Sequence, residues 1–241
     1  MGADKQLDAQ PAFILHSYPY SETSLIVEAF TCYSGRLPLL AKGAKRPKSA
    51  LRGILRGFQP LQLSWGGKSE LRVLHKAEWQ GGFIPLQGTG LICGFYLNEL
   101  LMRLLHRNDP HEQLFAYYQD TLAALSGDDD YIPILRRFEQ RLLQELGYAL
   151  TLHHDVANSK PIDSNEEYYY EVECGPVKVE GNDCSLGLRL SGRTLLDMKQ
   201  DDYSSPATRQ QSKALMRYIL NHYLGDQPLH TRQLLKDLQQ L

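Results

Sequence analysis

Six cations fall within fifteen residues of this chain: Lys42, Lys45, Arg46, Lys48, Arg52 and Arg56, in the run AKGAKRPKSALRGILRGF. Gly43, Gly53, Gly57 and Pro47 interrupt them. That composition keeps a backbone open and lets the side chains fan out along a row of phosphates. Lys68, Arg72 and Lys76 follow close behind. Between Arg36 and Lys76 there are ten Lys/Arg and one acid, Glu70, which leaves sixteen basic and twenty-seven acidic residues elsewhere. A segment of about +9 therefore sits in a chain whose remainder is about −11, behind a formal net charge of −2. A solvated charged face usually mixes its signs, so a nearly single-signed run points to a polyanionic partner.

Bases of a single strand stack on aromatic side chains in such grooves. Tyr18, Tyr20, Tyr33, Phe58 and Trp65 are the aromatics at hand, and most such residues belong to a core. Tyr18 or Tyr20 is the expected stacking platform.

The elements that must position these groups read as β. AFILHS (12–17), SLIVEAF (24–30), RLPLLAKG (36–43), FQPLQLSW (58–65) and ELRVLHKAEW (70–79) are rich in β-branched, aromatic or alternating apolar residues. Pro19 with Ser21, then Ser34-Gly35, then Gly66-Gly67 supply the turns. Five short strands with one long connection suit a small closed barrel of the OB type. Pro38 inside the third strand argues for an edge or a bulge there. On an alternating strand Arg72 and Lys76 share the outer face with Glu70.

Catalytic signatures fail one after another. Gly67-Lys68-Ser69 resembles the end of a phosphate-binding P-loop, but Gln62 stands where its first glycine belongs and a strand follows rather than a helix. Gly88-Thr89-Gly90 lacks the third glycine of a dinucleotide loop, since position 93 is Cys93, and reads as a flexible connection. His111-Glu112 begins a metalloprotease-like motif whose second histidine position is Phe115. His153, His154, Asp155, Cys174 and Cys184 match no common metal-site spacing, and Asp128, Asp129 and Asp130 lack the glutamate of a calcium loop. The expectation is a binding protein, not an enzyme, with no cofactor and no metal.

From Thr89 the apolar period becomes 3.6. Ile92, Tyr96, Leu100 and Leu104 line one stripe of a helix over 90–107, flanked by Phe95, Leu97, Leu101 and Leu105. A second helix is expected over 111–126, and a third from Pro133 to a glycine cap at Gly147. Arg136-Arg137 opens the third beside Phe138 and Leu142. Solvated arginines on a bundle exterior are the ordinary reading. The alternative is a groove for an acidic, hydrophobic peptide. Residues 151–190 lose the helical pattern and turn acidic, with short strands at 167–173, 177–180 and 185–190. Helices resume at Ser205-Pro206, run to Gly225, and restart at the cap Thr231 with Leu234, Leu235, Leu238 and Leu241. The division expected is 1–82 for the barrel, 83–150 with 203–241 for a helical domain, and 151–202 for a β insertion.

No stretch approaches a membrane span and MGADKQLDAQ lacks the core of a secretion signal, so a cytoplasmic protein is expected. Its four cysteines contain no Cys-x-x-Cys pair and should be free thiols, with Cys174 and Cys184 close across a hairpin.

The pieces SYPYSETSLIVEAFT, GRLPLLAKGAKRPKS, LRGILRGFQPL, FYLNELLMRLL, LRRFEQRLLQELGY and YLGDQPLHTRQLL, in this order and over nearly the whole chain, resemble the RecO family of recombination mediators. The resemblance implies an α+β multidomain protein with an N-terminal OB-fold barrel, a helical-bundle domain and a small zinc-finger-like β insertion. It implies binding of single- and double-stranded DNA, annealing of complementary strands, and help in loading RecA onto DNA coated with single-stranded DNA-binding protein. RecR is the implied partner in this, RecA an indirect one, and a nucleoid-associated location follows. It also implies contact with the acidic C-terminal tail of the coating protein, which would give Arg136, with its neighbour Arg137, a tail-binding role. Zinc-binding members carry two Cys-x-x-Cys pairs in the insertion; here only Cys174 and Cys184 stand there. The expectation is an insertion without zinc, held by Tyr168 to Tyr170.

Two other classes fit parts of this pattern. An RNA-binding OB protein without mediator activity would need the same cations, because phosphate contacts do not separate DNA from RNA. A metal-dependent nuclease would need clustered acids near the cations, where Glu70 stands alone.

Overall fold

The computed structural model describes residues 9–82, 84–127, 130–180, 187–225 and 228–231. Cys184, Asp128, Asp129 and the helix expected after Thr231 lie outside these, apart from the first residues of that helix at His230 and Thr231. The chain divides into two compact units. One comprises residues 1–129 with 229–241, the other 130–228.

In the first unit, β1 (Gln10–Tyr20), β2 (Ser24–Thr31), β3 (Gly35–Ala41), β4 (Leu61–Gly66) and β5 (Arg72–Trp79) close a barrel in the order β1-β2-β3-β5-β4. All neighbours are antiparallel except β3 and β5, which run parallel through Leu39 opposite Arg72 and Leu40 opposite Val73. β1 pairs with both β2 and β4, and its register shifts between Ile14 and His16. Such an irregularity bends a strand and lets one long element serve both sides of a closed sheet. Val27, Ala29, Leu37, Leu39, Leu61, Leu63 and Trp65 fill the interior. Pro38 faces Glu28 on β2 but lies outside the short β3–β5 ladder, so its missing N–H costs no bond there.

The long connection is not an open loop. Bonds of the i to i+3 type from Ala44 to Ala41, Arg46 to Gly43, Ser49 to Arg46 and Arg52 to Ser49 wind it into successive turns. These lead into a short helix, α1 (Leu51–Ile54). Ala44, Leu55 and Phe58 are buried, and Leu51 and Ile54 pack on the barrel core. Small and apolar residues between the cations therefore pin the segment while the cations point out.

Two helices, α2 (Gly88–Leu104) and α3 (Glu112–Leu125), join the barrel in this unit. Gly88, Thr89 and Gly90 form the first turn of α2 rather than a flexible connection. Its buried face runs through Cys93, Tyr96, Leu97, Leu100 and Leu101; Phe95 instead points outward, its ring 5.1 Å from that of Phe58. The helices are tied to the barrel by buried polar bonds. Asn98 Nδ2 donates to the Leu15 carbonyl at 2.8 Å, and Tyr118 Oη donates to Asn98 Oδ1 at 2.5 Å. Phe13 and Phe30 meet the rings of Phe115 and Tyr118.

The second unit contains α4 (Tyr131–Glu145), a three-stranded sheet in the order β7-β6-β8, α5 (Gly192–Lys199) and α6 (Pro206–Leu224). The strands are β6 (Glu167–Glu171), β7 (Gly175–Lys178) and β8 (Leu188–Ser191). Alternation on β6 buries Tyr168 and Tyr170 and leaves Tyr169 half-buried on the other face. The Tyr168 hydroxyl accepts from the Asp163 amide at 2.9 Å. Asp155, itself buried, accepts from the Ala157 amide, the Asn158 side chain and the Lys178 amide. Tyrosines and one buried carboxylate thus brace the small sheet. Among the described residues no group of three His, Cys, Asp or Glu is placed to hold a metal ion, and none of the helices is long and apolar enough to cross a membrane.

Candidate nucleic-acid interface

Barrel topology decides where the cations gather. β2 begins opposite the end of β3, with Leu25 paired to Ala41, so the β1–β2 turn and the start of the basic segment share one end of the barrel. β4 runs antiparallel to β1 and β5 parallel to β3, so the β4–β5 turn with Lys68 points towards the opposite end, while Arg72 enters beside Leu39, two residues from Ala41. Hydrogen bonds stitch the rim together. The Lys45 amide donates to the Thr23 carbonyl at 2.8 Å, Lys45 Nζ to the Ser21 carbonyl at 3.3 Å, and the Gly43 amide to Ser24 Oγ at 3.4 Å. Lys42, Lys45, Arg46 and Lys48 are exposed there and Lys68 is exposed on the β4–β5 turn; none pairs with an acid among the described residues. OB barrels bind strands with the β2–β3 face and the β1–β2 and β4–β5 loops.

Arg52 and Arg56 depart from the rim. Arg52 is exposed on α1, and Arg56 precedes Gly57, which bridges to Ile14. Ile14 lies six residues from Tyr20 along β1, roughly 20 Å at strand rise. Arg72 is half-buried and donates to Asn108 Oδ1 at 3.2 Å. Lys76 pairs with Glu78 at 2.8 Å, so its charge is locally offset by that acid rather than by Glu70. Arg36, which contributes to the basic segment in the sequence, belongs to a buried ion pair with Glu28 at 3.3 Å. Burial lowers its pKa, with Glu28 opposing that pressure.

Of the five aromatics, Phe58 and Trp65 are core residues, whereas Tyr33 is exposed. Tyr18 and Tyr20 are 41% and 44% exposed beside the β1–β2 turn that Lys45 holds. Trp79, at the end of β5, is exposed as well and was not marked by the sequence pattern. Spaced two residues from buried Ala77, it reads as inward; only its place at the strand terminus turns it out.

Two family models cover this chain: recombination protein O N terminal matches residues 7–83, and recombination protein O C terminal matches residues 86–233. The chain belongs to the RecO family. DNA repair protein RecO of Nitrosospira multiformis is 70% identical over 242 residues, the whole of both chains. The proteins of that name from Aromatoleum aromaticum and Paraburkholderia xenovorans are 51% and 52% identical. The first alignment spans both chains completely, the second 99% of this chain and 80% of the other.

The arginine pair of this RecO-family chain is split by its helix. Arg136 is not a surface residue: it is 7% exposed and binds Glu139 Oε1 at 2.9 Å, while its Nε has no hydrogen-bond partner among the described residues. Arg137 is exposed and binds both carboxylate oxygens of Asp201, at 2.8 and 2.6 Å. Nearby, Gln140 donates to the Tyr203 hydroxyl at 2.8 Å. Burial pushes that phenol up to about 12.

Proposed function

We propose that this chain is a DNA-binding mediator of recombinational repair that acts without catalysis. It binds single- and double-stranded DNA, anneals complementary strands, and works with RecR to load RecA onto DNA coated with single-stranded DNA-binding protein. The observation that carries the reading is the joining of the segment Lys42–Lys48 to the β1–β2 turn at one barrel end, where Lys45 and Gly43 bond to Ser21, Thr23 and Ser24. That rim offers unpaired cations for phosphates and two exposed tyrosines for bases. Membership of a family whose relatives bear the name DNA repair protein RecO supports DNA as the polymer.

Lys42, Lys45, Arg46 and Lys48 are the proposed core of the interface, Arg72 and Lys68 its flank on the β4–β5 side, and Arg52 and Arg56 a peripheral extension. Arg136 is proposed to contact the acidic tail of the coating protein, with Arg137 at the rim of that site. The protein works in the cytoplasm, at the nucleoid. The test is annealing of complementary strands pre-coated with single-stranded DNA-binding protein, across a salt series. Acceleration that fades with salt supports the reading, with log–log binding slopes of about −3 to −4 for four to six phosphate contacts on a single strand. No acceleration, with tight binding of RNA, overturns it in favour of an RNA-binding barrel.

A further inference from the structure

Glu28 is an acid in the middle of an apolar strand, 3% exposed, and two arginines reach it. Arg36 comes from the neighbouring strand, at 3.3 Å. Arg107 comes from the connection between α2 and α3, its Nη2 2.5 Å from Glu28 Oε1. A buried carboxylate needs one compensating charge. Here it has two, so the cluster keeps a surplus positive charge. Arg36 is enclosed, whereas the Arg107 side chain is half-exposed, and the surplus faces solvent through Arg107.

The connection is fixed against the barrel, not merely near it. Arg36 and Arg107 form a parallel bridge, and the Asn108 amide donates to the Arg36 carbonyl at 2.9 Å. Asn108 adopts a left-handed backbone, φ +58°, which asparagine tolerates better than most residues. Its side-chain oxygen holds the Arg72 guanidinium at 3.2 Å. Consecutive residues 107 and 108 therefore present one arginine and position a second, and that second arginine lies opposite Leu39 on β3, between Arg36 and the Ala41 end where the basic rim begins. His106 is exposed next to them. Acids are few: Glu28 is committed to the arginines, and Asp109 lies 3.4 Å from His111.

We propose that the nucleic-acid path continues from the barrel rim past Arg72 and along the outer edge of β3 to Arg107, which binds a backbone phosphate while Glu28 and Asn108 act as positioning residues. This rests on the rim's being the DNA-binding site. An arginine held by one carboxylate oxygen retains free N–H donors in its planar fork, and these suit a phosphate. The segment was silent in the sequence because HRNDP mixes signs and carries no basic run.

The test measures binding of the full chain to a fluorescent oligothymidylate of about 16 nucleotides over a salt series, for wild type, Arg107→Gln and Arg107→Lys. Loss of one phosphate contact flattens the log–log slope by about 0.7, so Arg107→Gln should show that change and Arg107→Lys should not. Should Arg107→Gln lower the melting temperature, amide hydrogen exchange of the wild-type protein replaces it. Oligonucleotide-dependent protection of residues 105–109, together with 42–48, is then expected. An unchanged slope in folded Arg107→Gln, or protection confined to 42–48, overturns the extension and leaves the rim intact. A Lys45→Glu, Arg46→Glu, Lys48→Glu variant that binds like wild type would overturn the rim itself, and the extension with it.

Discussion

Lys45 is bound twice to the β1–β2 turn, by its amide to Thr23 and by its ammonium to Ser21, so the middle of the basic segment and the hairpin bearing Tyr20 form one surface. The ammonium keeps further donors for solvent or a phosphate. Changing Lys45, Arg46 and Lys48 together to glutamate removes three cations and adds three acids on this surface. Single-strand binding should be abolished at physiological salt, through the loss of at least three phosphate contacts, worth about 2 in log–log slope. Binding of an acidic tail peptide should persist, because Arg136 and Arg137 belong to the other compact unit. Fluorescence anisotropy with both probes reads this directly, and loss of both in a folded variant would count against two separate sites.

Tyr18 and Tyr20 provide a contrast that charge cannot mimic. A base stacked on an aromatic ring is worth about 1–3 kcal/mol by truncation, with no dependence on salt. Tyr20→Ala should weaken single-strand binding within that range and leave the salt slope unchanged. Duplex binding should hardly change, since paired bases are not free to stack. Tyr18 also packs against His16, with ring centroids 4.5 Å apart, and should show the smaller effect. Equal losses on single and double strands would assign these rings to shaping the turn.

The barrel was legible because its alternation, turns and single-signed connection all point the same way. Its lid was not. α1 spans four residues and hides behind Arg52 and Gly53, poor evidence for a helix without the buried Leu55 that follows. α5 escaped because its cap, Ser191, doubles as the end of β8 and its first residue is Gly192. Gly192 is required there, since a Cβ would fall 1.9 Å from the Asp163 carbonyl oxygen. The packing of α2 and α3 in one compact unit with the strands, set by Asn98 and Tyr118, is invisible to periodicity. Arg36 shows the limit of counting charge: only its fold neighbours reveal that Glu28 consumes it.

Two glycines should respond oppositely to alanine. At Gly35 the backbone has φ +67°, and a Cβ would lie 2.0 Å from the carbonyl oxygen of Asp109. Gly35→Ala must therefore displace backbone in the connection that carries Arg107 and Asn108. It should cost at least about 2 kcal/mol. Gly53 lies within α1, has no positive φ, and nothing stands within 4 Å of its Cβ position. Gly53→Ala should be neutral or stabilise by up to about 1 kcal/mol through helix propensity. Urea titration of both variants checks the pair.

Ionisation sets limits at both ends of the pH scale. Glu99 accepts from the His230 amide at 2.8 Å and the Thr231 amide at 2.9 Å. Burial resists its ionisation, but these bonds and Arg103 outweigh that and lower its pKa. A carboxyl lowered on folding contributes stability above its unfolded value near 4.5, and this contribution is lost as pH falls through the folded value. Burial raises Tyr170 and Tyr203 to about 12. The unfolded chain then releases these protons first, so stability falls as pH rises from 10 towards 12. Glu99→Gln should reduce the acid-side slope in chemical unfolding while leaving the alkaline one unchanged; Tyr203→Phe should do the reverse, also in part.

Arg136 and Arg137 are neighbours in sequence with opposite energetics. Removing Arg136 strips a cation from beside Glu139, which is fully buried, and a broken buried pair costs about 3–5 kcal/mol. Arg137 forms an exposed pair with Asp201, and its loss should cost less than about 1 kcal/mol. Arg136→Ala is therefore a poor probe of peptide binding, because unfolding would masquerade as lost affinity. Arg136→Lys keeps the charge beside Glu139 but removes the Nε donor and the planar fork. It should stay folded and bind an acidic, hydrophobic tail peptide several-fold more weakly, whereas Arg137→Ala should bind it nearly as wild type. Calorimetric titration on variants of matched melting temperature distinguishes them. If folded Arg136→Lys retains full affinity, the guanidinium is a structural partner of Glu139 alone and the peptide site lies elsewhere.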